Sequence, residues 1–335
     1  MKTSILIGGL TVLVSIATAS WAEREETNNT SPNYLKHSIP SETIEYTSYN
    51  VDGFQAIFTD VYRKSPVALK GHLYLPKGEG PFSVVVLQHG TGSVENSKPW
   101  INKIIPELNI NQLGVFVADS YSMRKAGMNN VENLSFSSRV LDGFQILNAL
   151  SKHPKVDAKR IGIQGYSYGG MVAFFTSYQE LNDHLAPGLK YAAHMPVYPG
   201  CDLIIRHMKH TGSPVEMVVA ELDDYAPAKD CIEYAPTIGT LNIYEGAHHG
   251  FINGRAVKRL QEIGNFVSCK PGYITESGNW FYNDKERFGS YLKILSEIYE
   301  ECGGQGVTVG GTQRQQAQLI ADTVRFFRAN LVEKD

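Results

Sequence analysis

The sequence predicts an α/β protein with a mostly parallel, twisted sheet of about eight strands and helices on both faces. Two observations carry this. Continuous apolar runs rich in β-branched residues, such as Phe82–Gly90 (FSVVVLQHG), end in small residues and suit strands covered on both faces. Segments of helical period lie between them, and strands alternating with helices imply βαβ units. In order, strand patterns fall at Thr43–Tyr49, Phe54–Thr59, Val67–Leu75, Phe82–Gly90 and Gly114–Ser120. A helix follows at Val140–Leu150, with Val140, Leu141, Phe144 and Leu147 on one side. Arg160–Ser167 reads as the next strand and Gly170–Leu181 as a helix. Strands then recur at Tyr191–Gly200, Val215–Asp223 and Leu241–Ala247. A last helix, Gln315–Leu331, carries Leu319, Ile320, Val324, Phe326, Phe327 and Leu331. Ligands of such sheets bind beyond the C-terminal strand ends.

The N-terminus reads as a segment removed on export. Met1-Lys2 gives a positive start, Ile5–Ile16 is mostly apolar, and Ala17–Ala22 supplies small residues at a cleavage site. The cut is expected after Ala22, with Ala19 as the second choice. The apolar stretch falls short of the roughly 20 residues that span a bilayer. Residues 1–22 are therefore expected to be a signal peptide, 23–40 a flexible lead-in, and 41–335 a single domain. A periplasmic or secreted protein with no membrane attachment after cleavage follows, as a monomer or small homo-oligomer. Lys and Arg number 31 against 34 Asp and Glu, interspersed. That balance excludes the clustered positive field on which nucleic-acid binding depends.

Chemistry concentrates at the predicted strand ends. Gly165-Tyr166-Ser167-Tyr168-Gly169 has the G-x-S-x-G spacing of a serine nucleophile on a tight strand-to-helix turn. Gly165 and Gly169 spare such a turn two side chains, and Gly170 lets the next helix pack closely. The N-terminus of that helix then faces developing negative charge. A serine hydroxyl needs a base, and the base needs an orienting partner. Val215–Asp223 leads into Asp223-Asp224, and Leu241–Ala247 leads into His248-His249. The order Ser, Asp, His across successive strand ends is that of the α/β-hydrolase fold.

The stretches VVVLQHGTG, VADSYSMR, VDAKRIGIQGYSYGG, AELDDYAP and YEGAHHGF resemble the dienelactone hydrolase family, over about Val67–Phe251 and again in the last helix. The resemblance implies a carboxylic ester hydrolase acting on a small-molecule ester, with no cofactor and no metal. It selects Asp223, four residues before Pro227, over Asp224, and His249, just before Gly250-Phe251, over His248. The founding members use a cysteine where this chain has Ser167, and a glutamate after the third strand, where it reads Gln88-His89-Gly90-Thr91-Gly92. His89-Gly90-Thr91-Gly92 is similar to the oxyanion loop of esterases and lipases, which makes the backbone N–H groups of Thr91 and Tyr168 the expected oxyanion donors. His89 is expected to shape that loop, whereas Asp119 and Arg124, which match the family's D-S-F-x-x-R pattern with Tyr121 for Phe, are expected to hold the loop after their own strand. His207 and His210 offer two metal ligands at i, i+3 but no third.

Two rival readings use the same residues: a serine exopeptidase-like amide hydrolase of the prolyl oligopeptidase lineage, and a binding protein that keeps the fold without catalysis. The four cysteines, in an exported chain, favour pairing. Cys201 and Cys231 lie just past the ends of neighbouring strands, which predicts Cys201–Cys231 and, by remainder, Cys269–Cys302. Residues 252–312 read as an insertion. Its Trp280-Phe281-Tyr282 either packs on the surface or borders the active site as a lid or acyl pocket. Its Gly303–Gly311 run reads as a flexible connection.

Overall fold

The computed structural model describes residues 41–124 and 134–332. The expected signal peptide and the lead-in over 23–40 lie outside the described residues. The main sheet uses β1 (Ser41–Tyr49), β2 (Pro66–Tyr74), β3 (Phe82–Gln88), β4 (Leu113–Asp119), β5 (Val156–Tyr166) and β6 (Ala193–Val197). Past a short β7 (Leu203–Ile205) that belongs to another sheet, β8 (Glu216–Ala220) and β9 (Thr240–Tyr244) complete it. The eight strands run in the order β1-β2-β4-β3-β5-β6-β8-β9. β1 and β2 are antiparallel to their neighbours, and from β4 to β9 every pairing is parallel. This is the α/β-hydrolase arrangement.

Strand periodicity divides the core into two layers. Every residue of β3 and of β4 is buried. Val84, Val86, Phe116 and Ala118 face α3 (Phe136–Leu150) and α4 (Tyr168–Phe175). Val85, Leu87, Val115 and Val117 face α2 (Ser93–Ile110) and α8 (Gln313–Leu331). Each buried Val, Leu or Phe contributes about 1.5–3 kcal/mol, so the alternation fixes the sheet between its helices. Thr312 and Gln315 close a reciprocal capping box at the start of α8.

Three elements differ from the sequence reading. Phe54–Thr59 is not a strand: α1 (Gln55–Phe58) forms there, with Phe54 and Ile57 buried three residues apart. The apolar spacing is helical, and the alternation is incidental. The helix expected over Gly170–Leu181 is interrupted. α4 ends at Phe175, and α5 (Gln179–Leu185) starts after a bend in which the Ser177 hydroxyl donates to the Phe174 carbonyl. The Gly303–Gly311 run contains β14 (Gly304–Val309), antiparallel to β10 (Lys258–Asn265). A pairing partner so distant in sequence leaves no local signature.

The rest of 252–312 is also ordered. β11 (Gly272–Ile274), β12 (Trp280–Tyr282) and β13 (Lys285–Arg287) join β7 in a four-stranded sheet, and α7 (Tyr291–Cys302) follows. Trp280 and Tyr282 are buried in the core shared with Phe54, whose ring centroid lies 6.3 Å from that of Trp280. These aromatics therefore pack the segment onto the body. The segment's own bridge is Cys269–Cys302.

Candidate active site

Ser167 ends the β5 turn at φ 55°, ψ −121°, a region that L residues adopt only under tight constraint. The neighbouring glycines account for the constraint. A Cβ on Gly165 would lie 1.9 Å from the Gly169 carbonyl oxygen, and one on Gly169 would lie 2.2 Å from that of Gln88. The turn thus presents a half-buried Ser167 at the C-terminal end of the sheet.

Asp223 and His249 follow β8 and β9 and are both buried. His249 Nδ1–H donates to Asp223 Oδ2 at 2.8 Å, and the Ser167 hydroxyl donates to His249 Nε2 at 2.8 Å. A carboxylate only accepts hydrogen bonds, so the Asp223 contact assigns the ring proton to Nδ1 and leaves Nε2 free to accept. Asp223 Oδ1 accepts from the N–H groups of Tyr225 and Ala226 at 2.9 and 2.8 Å, which immobilises the carboxylate. The Tyr198 and Tyr225 rings flank the imidazole, with centroids at 4.7 and 4.9 Å.

The runner-up residues do other work. Asp224 is bonded to Arg259 and accepts from the Thr308 N–H at 2.6 Å, tying the acid loop to β10 and β14. His248 Nδ1 bonds the Leu222 carbonyl at 2.9 Å. The Gly310 N–H donates to the His249 carbonyl at 2.8 Å, so the end of β14 also secures the His249 loop.

The His89–Gly92 loop runs against the serine: a Cβ on Gly90 would lie 3.4 Å from Ser167 Cβ. Tyr168 is the first residue of α4, where a backbone N–H has no intrahelical acceptor. His89 is buried, and its Nε2 accepts from the Ser120 N–H at 3.2 Å. Nδ1–H then donates to the Gly90 carbonyl at 2.7 Å. Burial first, and the Arg139 cation second, push its pKa down to about 3, which keeps the ring neutral. Asp119 accepts from the Tyr121 and Ser122 N–H groups, and Arg124 makes a two-pronged pair with Asp142 at 2.8 and 2.9 Å. Both hold the loop after β4, through separate partners.

His207 and His210 share no helix. His210 lies between Ser177 Oγ at 2.8 Å and the Tyr234 hydroxyl at 3.0 Å. Among the described residues, no group of three His, Cys, Asp or Glu side chains is arranged to hold a metal ion. Arg139, Asp142, Tyr198 and Tyr225 are contributions that the sequence reading did not anticipate. The one signal was that Arg139 and Asp142, three residues apart, lie among the buried positions of α3.

Cys201, past β6, bridges Cys231 in α6 (Ala228–Tyr234), the pairing expected from neighbouring strand ends. The bridge tethers the chain that leaves Asp223. With a sequence separation of 30, its loss costs about 3.5 kcal/mol in the chain-entropy description. Urea unfolding of a Cys201→Ala/Cys231→Ala variant is expected to show that loss. A change below about 0.5 kcal/mol would remove the bridge from the stabilising contacts.

The model of the Dienelactone hydrolase family matches residues 49–264. The chain belongs to the dienelactone hydrolase family. Membership makes it a carboxylic ester hydrolase. No curated protein matches the sequence. Among solved structures, the chain is similar to a thermophilic esterase from Thermogutta terrifontis, at 19% identity and a TM-score of 0.43, over 56% of this chain and 80% of that one. It is also similar to Est1E from Butyrivibrio proteoclasticus, solved with ferulic acid bound. That likeness has 16% identity and a TM-score of 0.44, over 55% of this chain and 88% of the other. In this family member the G-x-S-x-G turn carries Ser167.

Proposed function

We propose that this chain is an exported serine hydrolase that cleaves a small-molecule carboxylic ester through an acyl-enzyme. The observation that carries the reading is the pair of 2.8 Å hydrogen bonds linking Ser167, His249 and Asp223. Ser167 Oγ attacks the ester carbonyl carbon as its proton passes to His249 Nε2. Asp223 holds the ring in the accepting tautomer and stabilises the imidazolium that forms. The oxyanion of the tetrahedral intermediate accepts from the N–H groups of Thr91 and Tyr168, each such donor being worth about 3–4 kcal/mol of barrier. Collapse expels the alcohol, which takes the proton from His249. Water then adds to the acyl carbon with His249 again as base, and the acid leaves with Ser167 restored.

Export is supported by the composition of residues 1–22 and by two disulfides, which persist in oxidising compartments. The test combines a fluorophosphonate probe with parallel assays of p-nitrophenyl esters and peptide amides. Labelling at Ser167 with ester turnover well above amide turnover is expected. Dominant amide turnover would favour the exopeptidase-like reading, and absent labelling would favour a binding protein.

A further inference from the structure

Arg139 is fully buried in α3, and no carboxylate pairs with it among the described residues. Asp142, one turn on, is occupied by Arg124. A buried cation without a counter-ion is costly, so a stable fold retains one only where its charge or its donors serve a purpose. The contacts of Arg139 converge on one place. Nη2 donates to the His89 carbonyl at 2.7 Å, while the guanidinium carbon lies 5.1 Å from the Tyr121 ring centroid and 5.5 Å from that of Tyr168. It therefore touches the base of the His89–Gly92 loop and also the first residue of α4.

The loop contains a second link. His89 Nδ1–H donates to the carbonyl of Gly90, and that carbonyl shares a peptide group with the N–H of Thr91. A donor on the oxygen of a peptide strengthens the donor at its nitrogen. Ser120 N–H, His89, and the Gly90–Thr91 peptide thus form one hydrogen-bonded series, and Arg139 holds the His89 backbone from which it is built.

We propose that Arg139 is a positioning residue of the oxyanion hole, fixing the Thr91 and Tyr168 donors relative to each other through the His89 carbonyl and the Tyr168 ring. This rests on the assignment of those donors under Proposed function. Among the described residues the guanidinium has no carboxylate partner at rest, which leaves its charge available to the carbonyl oxygen of a bound ester as that oxygen becomes negative. Its contribution therefore belongs to the transition state rather than to substrate binding.

The test is steady-state kinetics of Arg139→Met and Arg139→Lys on a p-nitrophenyl ester, with inhibition by a trifluoromethyl ketone. Ser167 adds to that ketone to give a tetrahedral oxyanion while His249 takes the serine proton. The expected result for Arg139→Met is a kcat about 30- to 100-fold lower at a KM within about threefold of wild type. The ketone should weaken by the same factor as kcat/KM. Arg139→Lys, which keeps a cation and is read even if the methionine variant does not fold, should recover most of the loss, leaving kcat about 3- to 10-fold down. A kcat within about threefold of wild type in folded Arg139→Met overturns the proposal, and so does a loss confined to KM. If only the lysine variant folds, an unchanged kcat or a loss confined to KM overturns it equally. An inactive Ser167→Ala enzyme beside a normal Arg139→Met enzyme overturns this inference alone, whereas an active Ser167→Ala enzyme overturns the serine reading with it.

Discussion

Replacing Ser167 with alanine is expected to lower kcat on esters by about 10⁵- to 10⁶-fold, with the protein still folded. The size follows from what the hydroxyl does. Its hydrogen bond goes to His249 Nε2, so its removal takes away the attacking atom and leaves the sheet, the turn and the loop contacts in place. What remains is catalysis by the His89–Gly92 loop and by substrate binding, which still exceeds the uncatalysed rate by about 10³- to 10⁴-fold. The checks are ester turnover, fluorophosphonate labelling and a circular dichroism melt on the same preparation. An alanine enzyme that keeps more than about 1% of kcat would remove Ser167 as the nucleophile.

The second large effect separates two adjacent carboxylates. Asp223→Asn is expected to cost about 10³- to 10⁴-fold in kcat, and Asp224→Asn less than about tenfold. An asparagine at 223 keeps an oxygen for the Tyr225 and Ala226 N–H groups, so the loop survives. Its NH₂ group, however, meets His249 Nδ1 as a donor and drives the ring to the tautomer whose Nε2 carries the proton. That ring no longer accepts the serine proton. Asp224 faces Arg259 and Thr308 instead, and its neutral replacement loosens a surface brace without touching the imidazole. Equal losses in the two variants would break the assignment of Asp223 as the orienting acid.

Ser167 was legible because local backbone chemistry marks it, whereas the choice of Asp223 over Asp224 and of His249 over His248 came from the family resemblance. The glycines around Ser167 answer to contacts of 1.9 and 2.2 Å, so few other residues fit there. Asp223 and His249 follow β8 and β9, two runs that read as strands without knowledge of their partners. The bridge from Cys201 was readable for a related reason, since adjacent parallel strands bring their ends together. α2 was not legible: Pro99 and Pro106 interrupt its pattern, yet Val94, Trp100, Ile101, Ile104, Ile105 and Leu108 bury one helical face. Tertiary burial there outweighs the cost of proline within a helix. Arg139 and β14 escaped for a different reason. Their roles depend on the His89 carbonyl and on Asp224, and such partners become neighbours only when the chain closes on itself.

The tie between β14 and the two loops also has a consequence in time. Ser167, Asp223 and His249 have all been synthesised well before Thr308 and Gly310, the residues that grip Asp224 and the His249 backbone. A nascent chain paused between them holds the whole proposed triad but lacks the strand that braces the loops of Asp223 and His249. The loops that carry Asp223 and His249 are therefore braced only once the C-terminal part of the chain is made, after the sheet that displays Ser167.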